Sequence, residues 1–164
     1  MDLYSTHLEH LDKIINFIGK PKNSVEFGTG NYSTDFLIKN SEQLMSIEMQ
    51  SEQWFNQVVI KFNENKNWTY FCSIGPKKFL ELSYPEKIDF SFVDGHGDSR
   101  PECINFMMDK NCPVIIAHDT EEGGYGWNRV RTSNDYKKID FKTHKNWTTL
   151  WTNNIELFNH LNNE

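Results

Sequence analysis

The sequence predicts an α/β fold: a doubly wound, mostly parallel seven-stranded sheet, preceded by an N-terminal helix and closed by a C-terminal antiparallel hairpin. Three observations carry this. Five short apolar runs alternate with amphipathic segments between residues 24 and 120, a glycine turn follows the first run, and two β-rich segments come last, separated by His144-Lys145-Asn146. Continuous apolar runs alternating with helices indicate strands covered on both faces.

Leu8, Leu11, Ile14, Ile15 and Ile18 recur at helical spacing, which predicts a leading helix over 5–17 that Gly19-Lys20-Pro21 ends. Val25–Phe27 is a first strand, Tyr32–Lys39 a first core helix, Leu44–Met49 a second strand and Glu52–Phe62 a second helix. Trp68–Ile74 reads as a third strand broken by Gly75-Pro76, with a short helical stretch around Phe79-Leu80-Leu82. Ile88–Asp94 closes in Asp-Gly as a buried fourth strand, Pro101–Lys110 is helical, and Pro113–Ala117 is a fifth strand. Tyr136–Thr143 and Trp147–Thr152 form the hairpin.

One domain suits 164 residues. It divides into a leading helix (1–20), an α/β core (24–120), a glycine-rich lid (121–135), and a terminal hairpin and tail (136–164). A net charge of −6 and a pI near 5.5 exclude a protein that binds by neutralising phosphates, so no nucleic acid is expected as partner. No apolar run approaches the roughly 20 residues of a membrane span, and the start shows no signal peptide, which predicts a soluble, cytoplasmic protein without a membrane partner. Cys72, Cys103 and Cys112 form no CxxC pair and read as small buried hydrophobes in a reducing compartment.

In an open α/β sheet, ligands bind beyond the carboxyl ends of the strands. Titratable or polar groups stand at all five ends: Glu26 to Ser33, Glu48, Ser73 to Gly75, Asp94 to Asp98, and His118 to Glu121. The turn Glu26-x-Gly28-x-Gly30 lets a ligand approach the backbone and aims a helix N-terminus at it. Glu48, 22 residues after Glu26, stands where one strand–turn–helix–strand unit delivers a carboxylate to a ribose diol.

With these motifs the chain resembles the class I S-adenosylmethionine-dependent methyltransferases, Rossmann-like enzymes, over nearly its whole length. Phe92-Val93-Asp94-Gly95, Arg100, and Val114-Ile115-Ile116-Ala117-His118-Asp119 are similar to the small-molecule O-methyltransferases whose fourth strand ends in Asp-Gly and fifth in His-Asp. The resemblance implies S-adenosylmethionine as cofactor and a small hydroxylated acceptor, a sugar or glycan. It implies cofactor contacts from Glu26, Gly28, Gly30, Asn31, Ser33, Glu48, Met49, Ser73, Ile74 and Asp94. Asp94, His96 and His118 are the catalytic candidates, the histidines as bases. Asp94, Asp119 and Glu121 would hold Mg2+ or Mn2+, and Arg100, Tyr125, Trp127 and Arg129 would meet the acceptor.

Little room remains between Asp119 and Tyr136 for a full helix, so the acceptor side is expected to be open or completed by a second copy in a homo-oligomer. The competing readings are an NAD(P)-dependent oxidoreductase, because Gly-x-Gly with a distal acid also binds dinucleotides, and a non-catalytic module that only binds S-adenosylmethionine.

Overall fold

The computed structural model describes residues 5–75 and 77–163. Pro76, expected with Gly75 to break the third strand, lies outside them, as do Met1–Tyr4 at the start of the chain. Helix α1 (Leu8–Ile18) leads into β1 (Asn23–Phe27), α2 (Ser33–Asn40), β2 (Gln43–Glu48), α3 (Glu52–Phe62) and β3 (Trp68–Cys72). A 3-10 turn at Lys78–Glu81 precedes β4 (Phe90–Val93), α4 (Arg100–Asp109) and β5 (Val114–His118). Two 3-10 turns (Gly123–Tyr125 and Trp127–Arg129) then lead to β6 (Lys137–Phe141), β7 (Thr148–Thr152) and α5 (Ile155–Asn162).

The seven strands lie in the order β3-β2-β1-β4-β5-β7-β6. The first five are parallel, and the order reverses beside β1, which opens a crevice beyond the ends of β1 and β4. The hairpin inserts β7 antiparallel to β5 and leaves β6 at the edge. The sheet is therefore the expected mixed one.

Strand alternation divides the core into two layers. Phe90, Phe92, Val114 and Ile116 face a layer built with Leu11 and Ile14 of α1, Leu37 of α2, Val58 of α3 and Leu157 of α5. Val25, Phe27, Val93, Ile115 and Ala117 face the other, with Cys103, Ile104 and Met107 of α4 and Phe79 of the first 3-10 turn. Each fully buried Phe, Leu or Ile contributes roughly 1.5–3 kcal/mol over leaving it exposed.

Three details depart from the sequence reading. Residues 155–162, taken as a tail, form α5; Asn154 caps it by accepting from the N–H groups of Glu156 and Leu157, and Leu157 and Leu161 are buried. Strand β3 ends at Cys72, short of Ile74. Cys103 and Cys112 are buried free thiols, but Cys72, on the edge strand, is exposed. Among the described residues no helix is long and apolar enough to cross a membrane.

Candidate functional site

Register sets Glu26 beside Ser46 of β2 and Phe92 of β4, with its side chain under α2. The hydroxyls of Ser46 and Thr34 donate to its Oε2 at 2.6 and 2.9 Å. Trp68 in turn donates to Ser46 Oγ, and the Gly30 N–H donates to Thr34 Oγ1. The glycine turn thus hangs on a fully buried carboxyl whose Oε1 has no hydrogen-bond partner among the described residues. Burial outweighs the hydroxyl bonds and pushes this carboxyl up to about 7.

Gly28 has φ +88°, and a Cβ there would lie 2.4 Å from Gly95 Cα. The missing side chain therefore lets the ends of β1 and β4 cross backbone against backbone; room for a ligand is secondary. At Gly30 a Cβ would press first on the Ser33 hydroxyl, at 2.8 Å.

Glu48 ends β2 almost fully buried, at 3% exposure. Its Oε2 accepts from the N–H and hydroxyl of Thr29, and its Oε1 from the N–H groups of Gln50 and Ser51. The carboxylate is fixed beside the glycine turn. A diol docking on it would take over the place of the Thr29 hydroxyl.

Three adjoining cavities run along the carboxyl ends of the strands. One of about 500 Å³ is lined by Met49, Gln50, Ile74, His96, Asp98 and Arg129, among others. The next, of about 260 Å³, holds Gly28, Thr29, Glu48, Gln50, Trp54 and Asp94. The third, of about 420 Å³, is bounded by His7, Gly30, Asn31, Tyr32, Ser33, Trp54 and Asp94. Gln50 joins the first to the second, and Trp54 and Asp94 join the second to the third. The expected cofactor residues Gly28, Gly30, Asn31, Ser33, Glu48, Met49, Ile74 and Asp94 all border this trough. Glu26 lies beneath its floor, and Ser73 is buried with its N–H bonded to the Glu48 carbonyl.

The ends of β4 and β5 meet around Arg100, a cation only 5% exposed. Its guanidinium lies 3.0 Å from Asp94 Oδ1 and 3.5 Å from Asp119 Oδ2, and it donates to the carbonyls of Gly95 and His118. The Tyr125 ring lies over it, 4.7 Å from centroid to guanidinium carbon. Arg100 is thus spent on the protein and does not reach out to an acceptor.

His118 is buried, its Nε2 bonded to the Thr6 hydroxyl and its Nδ1 3.6 Å from Asp94 and 3.5 Å from Asp119. Burial alone would lower its pKa, but the two carboxylates raise it above the ordinary histidine value. Burial would raise Asp94, yet His118 and Arg100 hold it below the usual carboxylate range. The sequence reading missed the third member of this cluster, His7. Its ring is 3% exposed, neither nitrogen has a hydrogen-bond partner among the described residues, and burial pushes its pKa down to about 4. A signal for it existed: His7 stands three, four and seven residues before His10, Leu11 and Ile14, all on the buried face of α1.

The other expected site residues are dispersed. His96 is exposed on the 500 Å³ cavity, whereas His7 and Tyr32 line the third. Glu121 turns to accept from the Trp147 N–H at 2.6 Å, and Asp119 accepts from Asn146. Of the set expected for Mg2+ or Mn2+, Asp94 and Asp119 share the Arg100 guanidinium and Glu121 accepts from the hairpin backbone.

The glycine-rich segment is tied to α4. Arg129 pairs with Glu102 and donates to the Asp98 carbonyl, and Arg131 pairs with Asp109. Trp127 lines a separate cavity of about 260 Å³ with Tyr136 and Trp151.

No family model matches the chain, and no curated protein matches it. Solved structures do. An O-methyltransferase from Bacillus cereus in complex with S-adenosylhomocysteine shares 18% identity over 92% of this chain and 82% of that one, with a TM-score of 0.70. The O-methyltransferase TomG from Streptomyces achromogenes, involved in tomaymycin synthesis and solved with S-adenosylmethionine, shares 18% over 88% and 78%, with a TM-score of 0.62. The S-adenosylhomocysteine-bound methyltransferase PaMTH1 from Podospora anserina shares 13% over 90% and 80%, also at 0.62. At these identities the likeness establishes the fold.

Proposed function

We propose that this chain is an S-adenosylmethionine-dependent O-methyltransferase acting on a hydroxyl of a small acceptor, with sugars and glycans as the first class to test. The observation that carries the reading is the trough itself: cavities joined at Gln50, Trp54 and Asp94 and centred on a fixed Glu48 beside the glycine turn. Their volumes are those of a pocket for a nucleoside-sized ligand. The likeness in fold to methyltransferases supports the same reading.

The residues present fit that cofactor. Glu48 would hold a ribose diol, Met49 and Ile74 would border the base, and Gly30 and Ser33 would receive the amino-acid end. Bound there, S-adenosylmethionine supplies an electrophilic methyl group. The chain's own task is alignment, since an in-line displacement gains most from holding the reacting oxygen in place. Tyr32 and Trp54 offer ring faces to an acceptor, and the Trp54 indole is fixed by donating to the Thr29 carbonyl at 2.8 Å. Arg100 acts as a positioning residue that orients Asp94. His96 lines the first cavity, and His118 is turned toward Asp94 and Asp119.

The test is to incubate the full chain with S-adenosylmethionine and a panel of nucleotide sugars, free glycosides and matched amines, following S-adenosylhomocysteine release. A methyl ether formed from a hydroxylated compound is the expected result. Transfer to amines alone would contradict the oxygen assignment, and binding without transfer to any compound would leave a non-catalytic module.

A further inference from the structure

We propose that His7, Asp94 and His118 form a binding site for a divalent transition-metal ion of the Zn2+ or Co2+ type. One ligand atom from each residue lies within 4.8 Å of the others, so a side-chain shift of a few tenths of an ångström would bring all three onto one ion with bonds of about 2.0–2.2 Å. Two imidazoles and one carboxylate suit a borderline ion, whereas Mg2+ and Ca2+ prefer an all-oxygen shell.

The independent observation is His7. An imidazole 97% removed from solvent has both nitrogens without a hydrogen-bond partner among the described residues, so a lone pair sits inside the protein unused. Buried polar atoms are almost always satisfied, and an ion or a water is among the partners that account for an exception. His7 immediately precedes α1, and its ring lies edge-on to His118 at 4.8 Å between centroids and 5.0 Å from the Phe92 ring. Packing thus fixes its position.

The surroundings complete the arrangement. Thr6 bonds His118 Nε2, which turns Nδ1 toward Asp94, as outer-shell partners do for metal-bound histidines. Asp119 lies 3.5 Å from the same nitrogen and also faces Arg100, so two carboxylates offset the one guanidinium nearby. His7 and Asp94 both border the 420 Å³ cavity, so the ion's remaining positions open toward Tyr32 and Trp54. There it would lower the pKa of an acceptor hydroxyl. That role rests on the methyl-transfer reading, whereas the site rests on the side chains alone.

The test is titration of full-length, EDTA-dialysed protein with Co2+, followed by its visible d–d absorption, with Zn2+ and Mg2+ as competitors. One Co2+ per chain is expected, displaced by Zn2+ and unaffected by millimolar Mg2+. His7→Ala and His118→Gln should each weaken Co2+ binding by about 100-fold or more, since even outer-shell losses cost 10–100-fold. Far-UV dichroism and melting in EDTA show whether each variant is folded, and His7→Gln serves if His7→Ala is not. Absence of Co2+ binding by the folded wild type, equal competition by Mg2+, or affinity unchanged in both variants would overturn the proposal. S-adenosylhomocysteine titrated in EDTA separates the two readings: its binding without Co2+ binding removes only the metal site, and Co2+ binding without it removes only the cofactor.

Discussion

The Arg100 guanidinium lies 3.0 Å from the Asp94 carboxylate and joins the end of β4 to the end of β5, where it also reaches Asp119 and the His118 carbonyl. A buried cation with so many acceptors is a structural strut. Its removal leaves Asp94 and Asp119 with His118 as their remaining ionisable partner, and Arg100→Met should cost about 3–5 kcal/mol in urea unfolding at pH 7. Arg100→Lys should recover only part of this, because an ammonium cannot reproduce the planar fork. Full stability in Arg100→Met would show that the guanidinium is dispensable.

Glu26 makes a prediction about pH. Its carboxyl titrates near 7 in the folded protein against an ordinary value of 4.5. Between these values the folded chain keeps a proton that the unfolded chain has released. Its stabilising effect is therefore complete below about 4.5 and is lost as pH rises through 7, by up to ~1.4 kcal/mol per unit and roughly 3 kcal/mol in all. Glu26→Gln should flatten this slope and be the more stable protein at pH 8. Parallel unfolding profiles for the two proteins between pH 5 and 8 would contradict the assignment.

Gly28 and Gly95 separate packing from ligand approach. Gly28→Ala places a carbon 2.4 Å from the Gly95 backbone at a positive φ and should destabilise by at least ~1–3 kcal/mol, with a lowered Tm whether or not cofactor is bound. Gly123→Ala meets no atom within 4 Å and should leave Tm within about a degree or two of wild type, consistent with an effect below ~0.5 kcal/mol. Equal melting of all three proteins would refute the backbone-crossing role.

Glu48 tests the ribose contact. Glu48→Ala should lower S-adenosylhomocysteine affinity by at least about tenfold, since charge-assisted hydrogen bonds contribute roughly 1.5–3 kcal/mol each. Thr29→Val should have a smaller effect, because it frees Glu48 Oε2 of one competing donor. Calorimetry on both variants checks the order.

Much of this was legible in the sequence, for a physical reason. Glu26, Glu48, Asp94 and His118 stand at or beside the carboxyl ends of apolar runs, and strand periodicity alone puts them at one edge of the sheet. Side-chain direction beyond that edge depends on which tertiary partner wins. Nothing local says that Arg100 turns inward to Asp94, or that Glu121 turns to the Trp147 N–H. His7 fell within the helix expected over 5–17, but nothing local says that docking buries its ring against Phe92 and His118. Helix α5 had a visible cap and the spacing Leu157 to Leu161, but its eight residues follow a hairpin where the pattern of alternation had already ended.

The central claim, that the trough is built for S-adenosylmethionine, is tested most directly by calorimetric titration of the full chain with S-adenosylhomocysteine and, separately, with NAD. Saturable binding of one S-adenosylhomocysteine per chain, with no heat from NAD, is the predicted result. Binding of NAD without S-adenosylhomocysteine would contradict it.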